Sequence, residues 1–223
     1  MAELEPELAE LHKKLEHHIL EQKSNWKSFV YAQQNGFYQG FEEIEIAGCR
    51  PTEKRFARYQ IGKYLSKDKI ALDIGCNCGF FSLFVSKFLG NVTGIEINPY
   101  LISIANDTKE FLKIDNVNFI SSKFEKFQTN EKFDVIFSFA NDSTIDSNTE
   151  FNFEEYLNKI LYLLKNDGLL IFESQAIDAI IPKKFEPKME ILEKFFTIIE
   201  KRNVKSEYPL NVPERIFLIL KKI

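Results

Sequence analysis

The sequence predicts an α/β fold, a doubly wound and mostly parallel sheet with an antiparallel C-terminal hairpin, preceded by an N-terminal helical and aromatic cap. Three observations carry this. From Lys69 onward, strand-like and helix-like runs alternate across short connections, which demands parallel strands joined by helical crossovers. One strand-like run, Ile70–Ile74, enters a glycine-bearing turn that opens a helix-like run. The last two apolar runs are separated by Pro209–Pro213, a spacing that suits a hairpin.

The elements follow in order. Leu4, Leu8, Leu11, Leu15 and Ile19 step at three- or four-residue intervals, so the first 23 residues form an amphipathic helix. It packs either on the main domain or on a second copy, and the latter would make a homodimer. From Ser24 to Gly48, Trp26, Phe29, Tyr31, Phe37, Tyr38 and Phe41 crowd a stretch punctuated by Gly36 and Gly40, and Phe41–Ala47 alternates like a short strand. This segment is either packing beneath the helix or an aromatic lid over a site. Residues 1–50 therefore form the cap and 51–223 the main domain. Strands are predicted at Ile70–Ile74, Val92–Ile97, Val117–Ser121, Phe133–Phe139 and Leu169–Glu173, with helices at Gly79–Leu89, Pro99–Lys113 and Phe153–Leu164. Pro99 and Gly168 act as start and stop signals. A helix over Lys188–Lys201 precedes the hairpin strands Val204–Tyr208 and Arg215–Leu220.

Composition excludes several classes. No apolar run approaches the roughly 18 residues of a membrane helix, and no secretory leader pattern opens the chain. Cys49, Cys76 and Cys78 fit neither a disulfide framework nor a metal knuckle, so the expected setting is the cytoplasm, without a bound metal. With 29 basic against 33 acidic residues the net charge is −4, which argues against a nucleic-acid partner. Only five of the basic residues are arginine, and all three histidines (His12, His17, His18) lie in the first helix. His17 and His18 are adjacent, point in different directions and read as surface residues.

The run Asp73-Ile74-Gly75-Cys76-Asn77-Cys78-Gly79-Phe80 is the strongest local signal. At the carboxyl end of a strand its glycines allow close backbone approach to a ligand, and the helix N-terminus can hold an anion. Asn77 stands where a third glycine is expected, and asparagine tolerates left-handed dihedrals. Glu96 lies 21 residues beyond Gly75, the spacing of an acid that accepts ribose hydroxyls. Together they indicate an adenosine-containing ligand. The glycine spacing is not that of a dinucleotide site, and no phosphate-loop Gly-Lys-Ser/Thr is present.

These residues resemble the class I S-adenosylmethionine-dependent methyltransferases, which have a Rossmann-like fold. Asp73-x-Gly75-x-Asn77-x-Gly79 is similar to the first motif of that family, Phe133–Ser138 to its fourth-strand motif, and Leu163–Leu170 to the turn before its fifth strand. The likeness covers residues 69–223. It implies S-adenosylmethionine as methyl donor and S-adenosylhomocysteine as product. The donor-binding residues so implied are Asp73, Gly75, Cys76, Asn77, Gly79 and Phe80, then Glu96 and Ile97, then Ser122, Lys123, Phe124 and Phe139. Ser122 stands where the family often has an aspartate near the adenine amino group; Phe124 or Phe139 could wall the ring.

Asn141, Asp142 and Ser143 follow the fourth strand at the sheet edge where ligands collect, and Glu173 closes the fifth strand at the same edge. Asn141, Asp142 and Glu173 are the candidate catalytic residues. The family's amine-methylating segment is absent there, and no histidine lies in the body of the chain. A carboxylate, a tyrosine or no base at all must then serve. Arg50, Arg55 and Arg58 cluster in a lysine-rich chain, and Arg215 joins them from the hairpin; a planar fork suits a carboxylate or phosphate. The acceptor expected is a small anionic metabolite, with Tyr31, Arg50, Arg55, Arg58, Tyr59, Asn141, Ser143, Tyr208 and Arg215 as its candidate ligands. Arg50–Tyr59, Phe139–Thr144 and Tyr208–Arg215 also resemble methyltransferases of capsule O-methyl phosphoramidate biosynthesis, which implies an acceptor such as L-glutamine phosphate. The rival classes are an RNA or protein methyltransferase and a non-catalytic donor-binding regulator.

Overall fold

The computed structural model describes residues 5–30, 36–143, 149–207, 212 and 214–223. Tyr31 and Tyr208, named above as acceptor ligands, and most of the expected hairpin turn lie outside the described residues. Helix α1 (Pro6–Asn25) is followed by two short strands, β1 (Phe37–Gly40) and β2 (Gly48–Pro51), and by α2 (Thr52–Tyr59). The main sheet then builds through β3 (Ile70–Ile74), α3 (Phe80–Val85), β4 (Asn91–Glu96), α4 (Pro99–Phe111), β5 (Val117–Ser121) and β6 (Phe133–Phe139). It is completed by α5 (Phe153–Leu163), β7 (Leu164–Glu173), α6 (Ala176–Ile180), α7 (Glu186–Phe195), β8 (Phe196–Lys205) and β9 (Glu214–Lys222).

The seven strands run in the order β5-β4-β3-β6-β7-β9-β8. Those from β5 to β7 are parallel, and β9 is antiparallel to both its neighbours. The chain reverses its direction of winding between β3 and β6, so a crevice opens there at the carboxyl ends of the strands. Successive residues of the central strands enter opposite cores. Ala71, Phe137 and Phe217 join α1, α3 and α4 on one face, while Leu72, Ile136 and Leu218 join α5 and α7 on the other. Burial on both faces explains why these strands read as continuous apolar runs.

Helix α1 buries Leu8, Leu11, Leu15, Ile19 and Gln22, the predicted face, against the body of the chain, chiefly along α4. His18 is not the free surface residue expected: its Nε2 lies 2.9 Å from Asp107 on α4, whereas His17 is exposed.

Three local expectations are corrected. Phe41–Ala47 is not a strand; Phe41 bridges Ile46 around a single 3-10 turn with Glu45 at φ 54°, and the strands flank this turn. The helix expected to reach Leu89 stops at Val85: beyond it the N–H groups of Lys87, Phe88 and Leu89 bond three residues back, to Phe84, Val85 and Ser86, and the Lys67 and Asn116 side chains take up the free carbonyls of Ser86 and Leu89. The helix expected over Lys188–Lys201 ends at Phe195. From Phe196 burial alternates residue by residue, and Thr197 and Ile198 pair with β9 as strand.

Candidate functional site

The turn after β3 holds three residues at positive φ: Gly75 (65°), Asn77 (55°) and Gly79 (71°). Side chains crowd both glycines. A Cβ at Gly75 would lie 2.4 Å from Asn141 Oδ1, and one at Gly79 would lie 2.6 Å from the Phe119 ring. Asn77 supplies the left-handed dihedral without glycine, as its residue type allows. Glu96, 5% exposed at the end of β4, accepts from the backbone N–H of Asn77 at 3.1 Å and of Asn98 at 3.0 Å. The acid expected to lie beside the loop is therefore bonded to it.

Asp73 is buried beneath the turn and accepts from the Ser82 hydroxyl at 2.6 Å. Burial pushes its carboxyl up to about 6, against the opposing pull of that hydrogen bond and of Arg55. Asn77 Oδ1 is a buried acceptor without a hydrogen-bond partner among the described residues. A cleft beside the turn is bordered by Ile19 and Gln22 of α1, Tyr38 of β1, and Asn77 and Leu101. These residues fit S-adenosylmethionine: a turn at the carboxyl end of a strand beside a cleft, a buried acceptor with bonding capacity, and a carboxyl able to face a cation.

Sequence patterning did not mark Gln39. From β1 its Nε2 donates to the Cys76 carbonyl at 3.1 Å and its Oε1 accepts from the Phe80 N–H at 3.0 Å. It thus spans the turn from its second residue to the first residue of α3. Its only sequence signal is a polar residue inside an aromatic stretch.

Other residues assigned to the donor are distributed as follows. Cys76 and Phe80 are buried, Phe80 beside Phe37 and Phe41 of the cap. Ile97 is half-buried just past β4. The Ser122 N–H donates to the Glu96 carbonyl at 2.9 Å, and Lys123 pairs with Glu150 at 2.7 Å. Phe124 is fully buried against Tyr156, so it serves the core below the edge. Phe139 packs with Tyr59 and Phe81 beneath Arg55, which places it with the acceptor-side residues.

At the carboxyl ends of β6 and β7 the arginines converge. Arg50 Nη2 donates to both carboxylate oxygens of Glu173 at 2.8 Å and to the Tyr59 hydroxyl at 3.2 Å, and that hydroxyl donates to Glu173. Arg215 Nε lies 3.4 Å from Glu173, and its Nη1 donates to the Ser174 carbonyl at 3.0 Å. Burial alone would raise the Glu173 carboxyl, but Arg50, Arg215 and Arg55 outweigh it and hold it below the ordinary value. Burial and Glu173 push the Tyr59 hydroxyl up to about 12. In this arrangement Glu173 anchors the cluster as a carboxylate, and neither it nor Tyr59 is disposed to accept a proton near neutrality.

Arg55 differs from its neighbours. It is 3% exposed, lies over the rings of Phe81, Phe139 and Tyr59 at 5.1 to 5.7 Å, and its Nε has no hydrogen-bond partner among the described residues; Arg50 Nε is likewise unpartnered, but Arg50 has its Nη2 on Glu173. Arg58 stands apart in its bonding: Glu207 and the Lys205 carbonyl take up its guanidinium. Asn141 lies against Gly75 and donates to the Ile74 carbonyl, the Ser143 carbonyl accepts from Gln175, and Asp142 pairs with Lys188 at 2.5 Å. Lys188 also holds Asp178 at 2.7 Å, and burial leaves the Asp142 carboxyl raised despite the lysine. Among the described residues no group of three or more His, Cys, Asp or Glu is placed to hold a metal ion, and no helix is long and apolar enough to cross a membrane.

The strand order, the crevice and the glycine turn with its acid define a class I methyltransferase fold whose cofactor is S-adenosylmethionine. The chain belongs to the family described as Methyltransferase domain, whose profile matches residues 65–211. It is similar to the N-methyltransferase NodS from Bradyrhizobium japonicum WM9 in complex with S-adenosyl-L-homocysteine, with a TM-score of 0.62 at 16% identity over 98% of this chain and 99% of that one. It is 26% identical over 141 residues to the ribosomal protein L11 methyltransferase of Acetivibrio thermocellus, covering 63% of this chain and 41% of that one. It is 28% identical over 143 residues to malonyl-acyl-carrier-protein O-methyltransferase 2 of Ilyobacter polytropus, covering 61% and 52%. The chain thus spans about half or less of the length of these two curated relatives.

Proposed function

We propose that the protein is a cytoplasmic methyltransferase that moves the methyl group of S-adenosylmethionine to an oxygen of a small anionic metabolite. When bound, S-adenosylmethionine supplies an electrophilic methyl carbon on a sulfonium. Asp73 faces the cationic end of the donor, Asn77 and the glycine backbone cradle it, and Glu96 takes the ribose hydroxyls. Ser122 and Lys123 border the base.

The observation that carries the acceptor class is Arg55, a buried guanidinium on three aromatic rings with an unpartnered Nε. Leaving such a donor unpaired is costly, and an anionic acceptor would satisfy it. Arg50, Arg55 and Arg215 all act on the carboxylate of Glu173, and Arg55 acts on Asp73 as well, so three guanidiniums face two carboxyls and the edge carries excess positive charge. The relatives' printed names give a ribosomal protein and a malonyl-acyl-carrier protein as acceptors and so do not single out one for this chain. With Tyr59 and Glu173 engaged, an acceptor oxygen that is already ionised needs no proton acceptor. A phosphate or phosphoramidate oxygen meets that requirement, and L-glutamine phosphate of capsule polysaccharide biosynthesis is the narrow form of the reading. Asn141, Asp142 and Ser143 orient the acceptor. A panel of phosphorylated and carboxylated metabolites, assayed by product mass, tests this: a methylated anion supports it, and turnover confined to RNA or protein overturns it.

A further inference from the structure

The cap strands β1 and β2 pair in parallel, with Gln39 directly opposite Arg50. The approach is so close that a Cβ at Gly48 would lie 2.2 Å from the backbone of Gln39. One ribbon therefore carries, side by side, the residue that bonds the turn after β3 and the residue that bonds Glu173 at the end of β7. Gln39 is 4% exposed, and both ends of its amide are used on that turn: Nε2 on the Cys76 carbonyl at 3.1 Å, Oε1 on the Phe80 N–H at 3.0 Å. Neither hydrogen bond serves the ribbon or α1.

The turn they brace holds three consecutive alternate residues at positive φ, a conformation that two of them, as glycines, do not themselves prefer over others. Without the amide the Cys76 carbonyl and the Phe80 N–H would be left to find other partners in a buried setting. The turn would then sample conformations in which its backbone no longer matches a ligand, and each binding event would have to reorder it. We propose that Gln39 is a positioning residue for the donor turn, so that the N-terminal ribbon is a working part of the S-adenosylmethionine site. The inference rests on the donor assignment made above.

Calorimetry with S-adenosylhomocysteine as probe tests it on the full chain. Gln39→Ala removes both hydrogen bonds. Gln39→Glu keeps the acceptor for Phe80 but sets a carboxylate oxygen against the Cys76 carbonyl. Leu15→Ala is the control, since Leu15 is buried on α1 and its side chain has no group that can hydrogen-bond the turn. Both Gln39 variants are expected to bind about tenfold more weakly or worse, the scale of losing one or two buried hydrogen bonds. Leu15→Ala is expected to lower Tm while keeping the wild-type Kd. A merely structural Gln39 would reduce the fraction of competent protein, seen as a lower stoichiometry at unchanged Kd, and that result overturns the inference. So does an equal loss of affinity in Leu15→Ala. Failure of the wild-type chain to bind the probe would instead overturn the donor assignment itself.

Discussion

Arg50 of the cap and Glu173 at the carboxyl end of β7 form a fully buried ion pair, with one guanidinium nitrogen 2.8 Å from each carboxylate oxygen across 123 positions of sequence. Tyr59 closes the group by bonding both partners. The cap is thereby fastened to the edge of the sheet at which methyl transfer is proposed. A buried pair adds little over an apolar replacement of both members, but removing one member strands the other charge. Arg50→Met should therefore lower stability by about 3–5 kcal/mol, measured by urea denaturation. Glu173→Gln, which keeps the hydrogen-bonding shape, should cost less than Glu173→Leu.

Arg55 is expected to separate acceptor from donor. Arg55→Met preserves the stacking on Phe81 and Phe139 while removing the charge. A hydrogen bond to a charged group is worth about 1.5–3 kcal/mol, so kcat/KM for the anionic acceptor should fall roughly 10- to 150-fold. The Kd for S-adenosylhomocysteine should stay at the wild-type value. Steady-state kinetics beside calorimetry reads both quantities.

Asp73 gives the donor site a pH dependence of known sign. Its carboxyl titrates at about 6 in the folded chain against 3.8 ordinarily, so the folded state binds the proton more tightly than the unfolded one. Folding stability should fall as pH rises from about 4 to about 6, by about 3 kcal/mol in all. Asp73→Asn should flatten that slope. If Asp73 meets the cationic end of the donor, S-adenosylmethionine affinity should rise with pH through the same window and should not do so in Asp73→Asn.

Gly75 and Asn141 are in such close register that either constrains the other. Gly75→Ala places a methyl 2.4 Å from Asn141 Oδ1 at a φ of 65°. Overpacking of this kind costs about 1–3 kcal/mol, and donor affinity should drop with it. Adding Asn141→Ala to the same chain should return the steric part of the loss while the cost of positive φ remains. A double-mutant cycle on Tm and on S-adenosylhomocysteine Kd measures that coupling.

The strands at Ile70–Ile74, Val117–Ser121 and Phe133–Phe139 were legible to the residue because each is a short run dominated by apolar residues, with single polar ones between them. Strand β8 was not: Met189, Leu192 and Phe196 keep helical spacing, and between buried Phe196 and Val204 the inward positions are the half-buried Ile198, Glu200 and Arg202, beside an exposed Ile199, so no apolar alternation marks it. At the site, Glu96 and the glycine turn were legible because their chemistry depends on spacing along one βαβ unit. The pairings Gln39 with Cys76 and Phe80, Arg50 with Glu173, and Lys188 with Asp142 join distant elements. No local pattern encodes them. The four arginines singled out by their rarity proved to have different partners, and only the fold shows that Arg55 differs from Arg58 in this respect.

The most direct measurement is methyl transfer from S-adenosylmethionine by wild type and Arg55→Met, with product mass detection, across phosphorylated and carboxylated metabolites, RNA and protein. The account predicts one added methyl group on the oxygen of an anionic small molecule and formation of S-adenosylhomocysteine, both reduced together, roughly 10- to 150-fold in kcat/KM, in Arg55→Met. Methylation of RNA or protein alone, or equal turnover of the anion by both chains, would contradict it.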